Sequence, residues 1–357
     1  MLNEVFFDIY AVPRMTEFRL KNLLQRFRTP EAIFAARREE LLEVTGVDER
    51  LADDILSFRR DDEQKQRIRK AKEMGVRTIS YLDKEFPANL KDVPHMPPVL
   101  FVRGELSDAD QQAVAIVGTR NATHYGAQVA ERLARELAQC GVTVVSGLAR
   151  GIDTWAHRGA LAGGGRTIAV LGCGVDVFYP PENRRLYDEI ASHGALVTEF
   201  PMGVEPLAMN FPKRNRIVSG LARAVVAVEA GEKSGVLNTC AWAVDQGREV
   251  FAVPGRITDQ RSLGTNRLIR DGAGIVTSAR DILEALGLKP SEKTKPTVEI
   301  AADEKPVLEF LSTEPRHIDE VCEGLGMPMP ALLSLLLQME LKGLVRQLPG
   351  KFFVRQD

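Results

Sequence analysis

The sequence predicts an α/β protein: a parallel sheet covered by helices, with a helical module before it and a small helix-and-hairpin module after it. Three observations carry this. Short β-branched runs alternate with amphipathic helical stretches through the middle of the chain, glycine-rich turns follow several of those runs, and the two ends keep a helical rhythm. With 357 residues, and roughly 100–200 per domain, two or three domains are expected. Hydrophobic residues make up 44%, enough for a sizeable core.

Residues 1–74 read as a helical domain. Leu20, Leu23, Leu24 and Phe27 follow a 3.6 period, as do Leu51, Ile55 and Phe58. Between them, Leu42-Glu43-Val44-Thr45-Gly46-Val47-Asp48 has the pattern of a helix-hairpin-helix turn. Asp48 stands where a phosphate-binding turn would have a second glycine, so the turn reads as a packing or protein-contact device. Residues 75–287 form the α/β core. Its strands are expected at 76–81, 99–102, 113–117, 142–145, 167–171, 195–198, 224–228 and 249–253. Val129, Leu133 and Leu137 mark the covering helix of the first right-handed unit. Residues 288–304 are polar and proline-containing, a linker. Residues 305–357 show three helical patterns and then a hairpin around Pro349-Gly350, the plan of a winged helix. Its third pattern, 330–341, carries one Gln and no cation before Lys342, which points to a protein contact rather than reading of duplex bases.

Lys and Arg total 47 against 49 Asp and Glu, a net charge of −2, so any polyanion site must come from local clustering. No apolar run reaches the ~18 residues of a membrane helix. Glu4 and Asp8 interrupt the first apolar stretch, and no basic leader precedes it. A cytoplasmic protein without a membrane anchor is expected. Cys140, Cys173, Cys240 and Cys322 form no CxxC pair and read as reduced residues. The five histidines show no metal-ligand spacing, so neither metal nor cofactor is expected.

Ligands of an open α/β sheet bind beyond the carboxyl ends of its strands. Those ends carry Gly118-Thr119-Arg120, Ser146-Gly147 with Arg150, Gly172-Cys173-Gly174, and Lys233-Ser234-Gly235. Glycine lets backbone approach an anion, and each following helix points its positive end there. A dinucleotide fingerprint and a GxxxxGK[ST] loop are both missing, which argues against NAD and excludes a P-loop ATPase. The basic run Phe211-Pro212-Lys213-Arg214-Asn215-Arg216 has few acids near it in sequence, Glu205 being the nearest upstream. Cations beside an aromatic suit single-stranded nucleic acid, which offers phosphates to one and bases to the other. Asp153 reads as a helix cap sharing a face with His157, and Cys173 as a small buried residue in a tight turn. No catalytic group stands out.

Ala115-Ile116-Val117-Gly118-Thr119-Arg120, Ser146 through Asp153 with Ala156-His157, Phe211 through Arg216, Val253-Pro254-Gly255, and Gly264-Thr265-Asn266-Arg267-Leu268-Ile269 with Asp271-Gly272-Ala273 closely resemble the DNA processing protein A (DprA/Smf) family. The match spans roughly residues 75–285. The resemblance implies an extended Rossmann-like core, an N-terminal helical (SAM/helix-hairpin-helix-like) domain and a C-terminal winged helix. It further implies a homodimer that binds single-stranded DNA and loads the recombinase RecA in natural transformation. By position, Gly118, Thr119 and Arg120 would hold phosphate, Ser146, Gly147 and Arg150 the neighbouring loop, and Lys213, Arg214, Asn215 and Arg216 the rest of the pocket. Phe211 would be the adjacent aromatic. The stretch Ser234 through Thr239 departs from the family at Asn238, where an apolar residue is usual. The competing reading is a nucleotide hydrolase resembling the lysine-decarboxylase-like phosphoribohydrolases. Their PGGxGTxxE motif is broken here, at Glu229-Ala230-Gly231-Glu232-Lys233-Ser234-Gly235.

Overall fold

Nine strands rich in Val, Ile and Ala form the central sheet: β1 (Val76–Ser80), β2 (Val99–Gly104), β3 (Ala113–Val117), β4 (Thr143–Ser146), β5 (Thr167–Val170), β6 (Ala195–Thr198), β7 (Ala224–Ala227), β8 (Glu249–Ala252) and β9 (Gly274–Ile275). The computed structural model describes residues 2–288, 300–312 and 314–355. Most of the expected linker, 288–304, lies outside the described residues.

The strand order is β1-β2-β6-β5-β4-β3-β7-β8-β9. The seven strands from β6 to β9 pair in parallel. β1 and β2 differ: they run antiparallel and attach beyond β6, not beside β3. Strands β3 to β7 are buried along their whole length, as a sheet covered on both faces requires. Alternation divides their side chains. Val114, Ile116, Val144 and Val226 pack under the helices His124–Gln139 and Ile152–Ala162. Ala115, Val117, Val145 and Val225 face the helices Asn210–Leu221 and Gly235–Asp245. From β3 the chain builds toward β6, then returns to add β7, β8 and β9 on the other side. That reversal opens a crevice at the carboxyl end of β3.

The first five helices, from Val5–Ala11 to Glu49–Ser57, close around Leu20, Leu24, Ile33, Leu41, Leu51 and Ile55, and Val99 of β2 joins that cluster; the sixth, Asp62–Glu73, packs Ile68 and Ala71 against Phe101 and Leu196 of the sheet. They belong to the same compact unit as the sheet. Asp48 caps the helix Glu49–Ser57, accepting the Leu51 N–H at 2.8 Å. The residue that replaces a phosphate-binding glycine thus closes the hairpin turn itself.

The second compact unit holds the C-terminal module. Helices Lys305–Phe310, Ile318–Leu325 and Met329–Leu341 pack with β10 (Arg316–His317), β11 (Val345–Leu348) and β12 (Phe352–Arg355) around Val307, Ile318, Leu332, Leu336 and Phe353. The sheet order β10-β12-β11, antiparallel throughout, is that of a winged helix. On its third helix Leu333 and Leu337 are exposed. Lys342 lies 2.8 and 2.9 Å from the two oxygens of Glu304. Among the described residues no single helix is long and apolar enough to cross a membrane.

Candidate functional site

At the crevice lies an open cleft of about 510 Å3. The helix Asn210–Leu221 presents Phe211, Arg214, Asn215 and Val218 to it, the i, i+3, i+4, i+7 spacing of one helical face. Gly118, Thr119 and Arg120 form the opposite wall, with Gly147, Ser234 and Gly235 beside them. Two glycines are required by space. A Cβ on Gly147 would stand 2.5 Å from Arg214 Nη2, and one on Gly151 would stand 2.3 Å from the Thr119 carbonyl. Gly151 also has φ +75°, where a side chain would be strained.

Arg120 is exposed, and its guanidinium sits 5.1 Å from the centre of the Phe211 ring, a cation–π contact. That ring rests against Gly172 and lies 5.5 Å from the ring of Tyr179. Arg120 and the exposed Lys233 make no ion pair among the described residues. Asn215 Nδ2 donates to Asn238 Oδ1 at 3.3 Å, so the position that departs from the family pattern touches a residue of the cleft wall.

The other cations are engaged. Lys213 is bonded to the Glu17 carboxylate, from the N-terminal helices 196 residues away. Arg216 is 4% exposed and holds Glu199 at 2.6 Å, with Glu17 at 3.6 Å. Burial pushes the Glu199 carboxyl up to about 7, which the attraction of Arg216 only partly offsets. Arg214, also 4% exposed, donates through Nη1 to the carbonyls of Gly147, at 2.7 Å, and Val170. Arg150 pairs with Glu182 at the surface. The basic run therefore does not present four groups to solvent, as its sequence surroundings suggest: the acids that neutralise it come from Glu17 and from the end of β6. Arg216 is an internal ion pair, and Arg214 a bolt between strand ends.

One helix end is occupied as well. Glu229 takes the N-terminus of His124–Gln139, accepting Thr123 N–H at 3.0 Å and the Thr123 hydroxyl. Asp153 does not cap its own helix, whose first cap is Gly151; it accepts N–H groups of Gly147 and Ala149 at 3.1 and 3.4 Å and clamps the preceding loop. The Ser146 hydroxyl is buried on the Ile116 carbonyl at 2.6 Å and leaves the cleft wall to Gly147. The helix Gly235–Asp245, capped by Ser234, opens its first turn to the cleft.

The remaining polar candidates are packed away. His157 is fully buried with Nδ1 2.7 Å from Thr167 Oγ1, and burial drives its pKa down to about 3. Burial pushes the Cys173 thiol up to about 12. Among the described residues no cluster of His, Cys, Asp or Glu is arranged to hold a metal ion. Glu17 and Tyr179 carry no local sequence signal of their part in the site. Asp153 and Glu199 are legible as strand-end acids, but their partners are not.

Fold and cleft together define an extended Rossmann-like protein with an appended winged helix. The family model for DNA recombination-mediator protein A matches residues 77–287, and the DprA winged helix domain matches 290–351. Protein Smf of Synechocystis sp. is 33% identical, covering 94% of each chain. The X-ray structure of DNA processing protein A from Streptococcus pneumoniae superposes with a TM-score of 0.70 at 34% identity, covering 79% of this chain and 98% of that one. DNA processing protein A from Helicobacter pylori, solved for its single-stranded DNA binding mode, gives 0.53 at 32%, covering 59% and 95%. The chain belongs to the DNA recombination-mediator protein A family, and its role lies in DNA processing.

Proposed function

We propose that the chain binds single-stranded DNA in this cleft and hands it to a RecA recombinase, acting as a binder and not as an enzyme. One observation carries the reading: Arg120, without a carboxylate partner among the described residues, stacked over Phe211 at the cleft wall. A guanidinium there reaches a phosphate while the ring takes a base, and neither contact needs a particular sequence. Gly118, Thr119, Ser234 and Gly235 supply close backbone, Asn215 a polar side chain, and Lys233 a second free cation. Gly147 and Arg214 shape the wall, Ser146 and Arg216 support it from within, and Arg150 and Lys213 join only by exchanging a carboxylate for a phosphate. The H. pylori relative, at 32% identity, supports the choice of ligand. A homodimer in the cytoplasm, with the winged helix as a protein contact, completes the reading.

Anisotropy titrations of single- and double-stranded oligonucleotides across a salt series test it. Each phosphate contact on a single strand contributes about −0.7 to the slope of log affinity against log salt, so two free cations give roughly −1.4. Salt-insensitive binding, or equal affinity for duplex, would reject the proposal. RecA assembly on strand already covered by the protein tests the hand-off, and sedimentation tests the dimer.

A further inference from the structure

The same edge of the sheet opens a second hollow of about 650 Å3 beyond the end of β8, lined by Tyr125, Gly255 and Arg256, with Thr123 and Glu229 on the side of the first cleft. Tyr125 is 54% exposed and has no ring or hydrogen-bond partner among the described residues. Arg256 is exposed and makes no ion pair among them. An exposed ring beside an unpaired guanidinium repeats the chemistry of Phe211 and Arg120.

We propose that this hollow is a second station for the same single strand, where a base stacks on Tyr125 and the adjoining phosphate meets Arg256. The inference rests on the reading of the first cleft. β7 lies between β3 and β8, so the two stations are two strand spacings apart, about 10 Å. A strand leaving Arg120 crosses the loop after β7, where Lys233 is exposed. The two acids in the wall are already engaged. Glu229 accepts from Thr123, and Asp259 Oδ1 accepts the Arg261 N–H at 2.9 Å, which fixes where both carboxylates point. A stacked ring and a phosphate contact read no base edge. The station is expected to be indifferent to sequence.

Titration of the full chain with oligothymidylates from about 4 to about 16 nucleotides, the span of known groove-binding sites, tests the proposal. Wild type should gain affinity once the oligomer reaches both hollows. Tyr125→Ala should erase about tenfold of that gain while leaving the shortest oligomers unaffected, and Tyr125→Phe should keep it. Arg256→Gln should flatten the salt slope by about 0.7 on long oligomers alone. Equal losses on short and long oligomers, no loss at all, or a change in sedimenting mass with Tyr125→Ala would overturn the second station only. Failure of wild type to bind short oligomers would remove both stations.

Discussion

The helix Asn210–Leu221 has two sides that share one basic run and meet opposite surroundings. Phe211, Arg214, Asn215 and Val218 face open volume, whereas Lys213 and Arg216 face Glu17 and Glu199. On the first side an aromatic ring and the distant Arg120 are left for a ligand; on the second, two cations hold the N-terminal helices and the end of β6 in place. Cationic side chains adjacent in sequence can therefore do unrelated work. What separates them is whether a carboxylate arrives from elsewhere in the fold.

The largest expected effect is on the inward side. Arg216→Leu leaves Glu199 buried with only the more distant Lys213, at 4.0 Å, and should cost about 3 kcal/mol in chemical denaturation. The penalty should stay level below about 7, where wild type also holds the proton, and grow as pH rises above it. The Glu199 carboxyl is already raised to about 7, and losing Arg216 raises it further. The folded protein must then hold a proton that the unfolded chain has released, and this becomes costlier with pH. A variant of native stability whose DNA salt slope dropped by a full contact would put Arg216 on the outward side. Next, Phe211→Ala should cost about 2 kcal/mol of single-strand affinity with little change of salt slope. A slope lower by a full contact would show that the ring only props a cation. Arg120→Ala should cost about 1.5 kcal/mol and flatten the slope by about 0.7, whatever the base composition. The smallest effect is expected for Glu17→Gln, which leaves Lys213 only the more distant Glu199, at 4.0 Å: tighter binding at low salt and a slope steeper by at most about 0.7. Unchanged binding would mean Lys213 stays on the inward side even when released.

Most of the core was legible because it is local. Runs such as Ala113–Val117 and Ala224–Ala227 are β-branched and alanine-rich, flanked by glycine or helical periods, and their limits fall within a residue of expectation. β9 escaped because two residues, Gly274 and Ile275, carry no period. The antiparallel placement of β1 and β2 escaped because pairing partners are not written in a strand's own residues. In the site, the cleft-facing glycines and Arg120 were readable from their position after strands. The fate of Lys213 and Arg216 was not, since Glu17 is 196 residues from Lys213 and meets it only through folding. For the same reason the helix after β3 looked like an open anion site, when Glu229 already sits there.

Arg214 ties the tip of β4 to the tip of β5 through the carbonyls of Gly147 and Val170. Both bonds leave one nitrogen, Nη1, so a single buried group bridges the two tips. The floor between those tips is accordingly stiff before anything arrives. A flexible polymer settling there surrenders its own freedom, while its host has little left to lose, and the association is correspondingly stronger for the same touching surface.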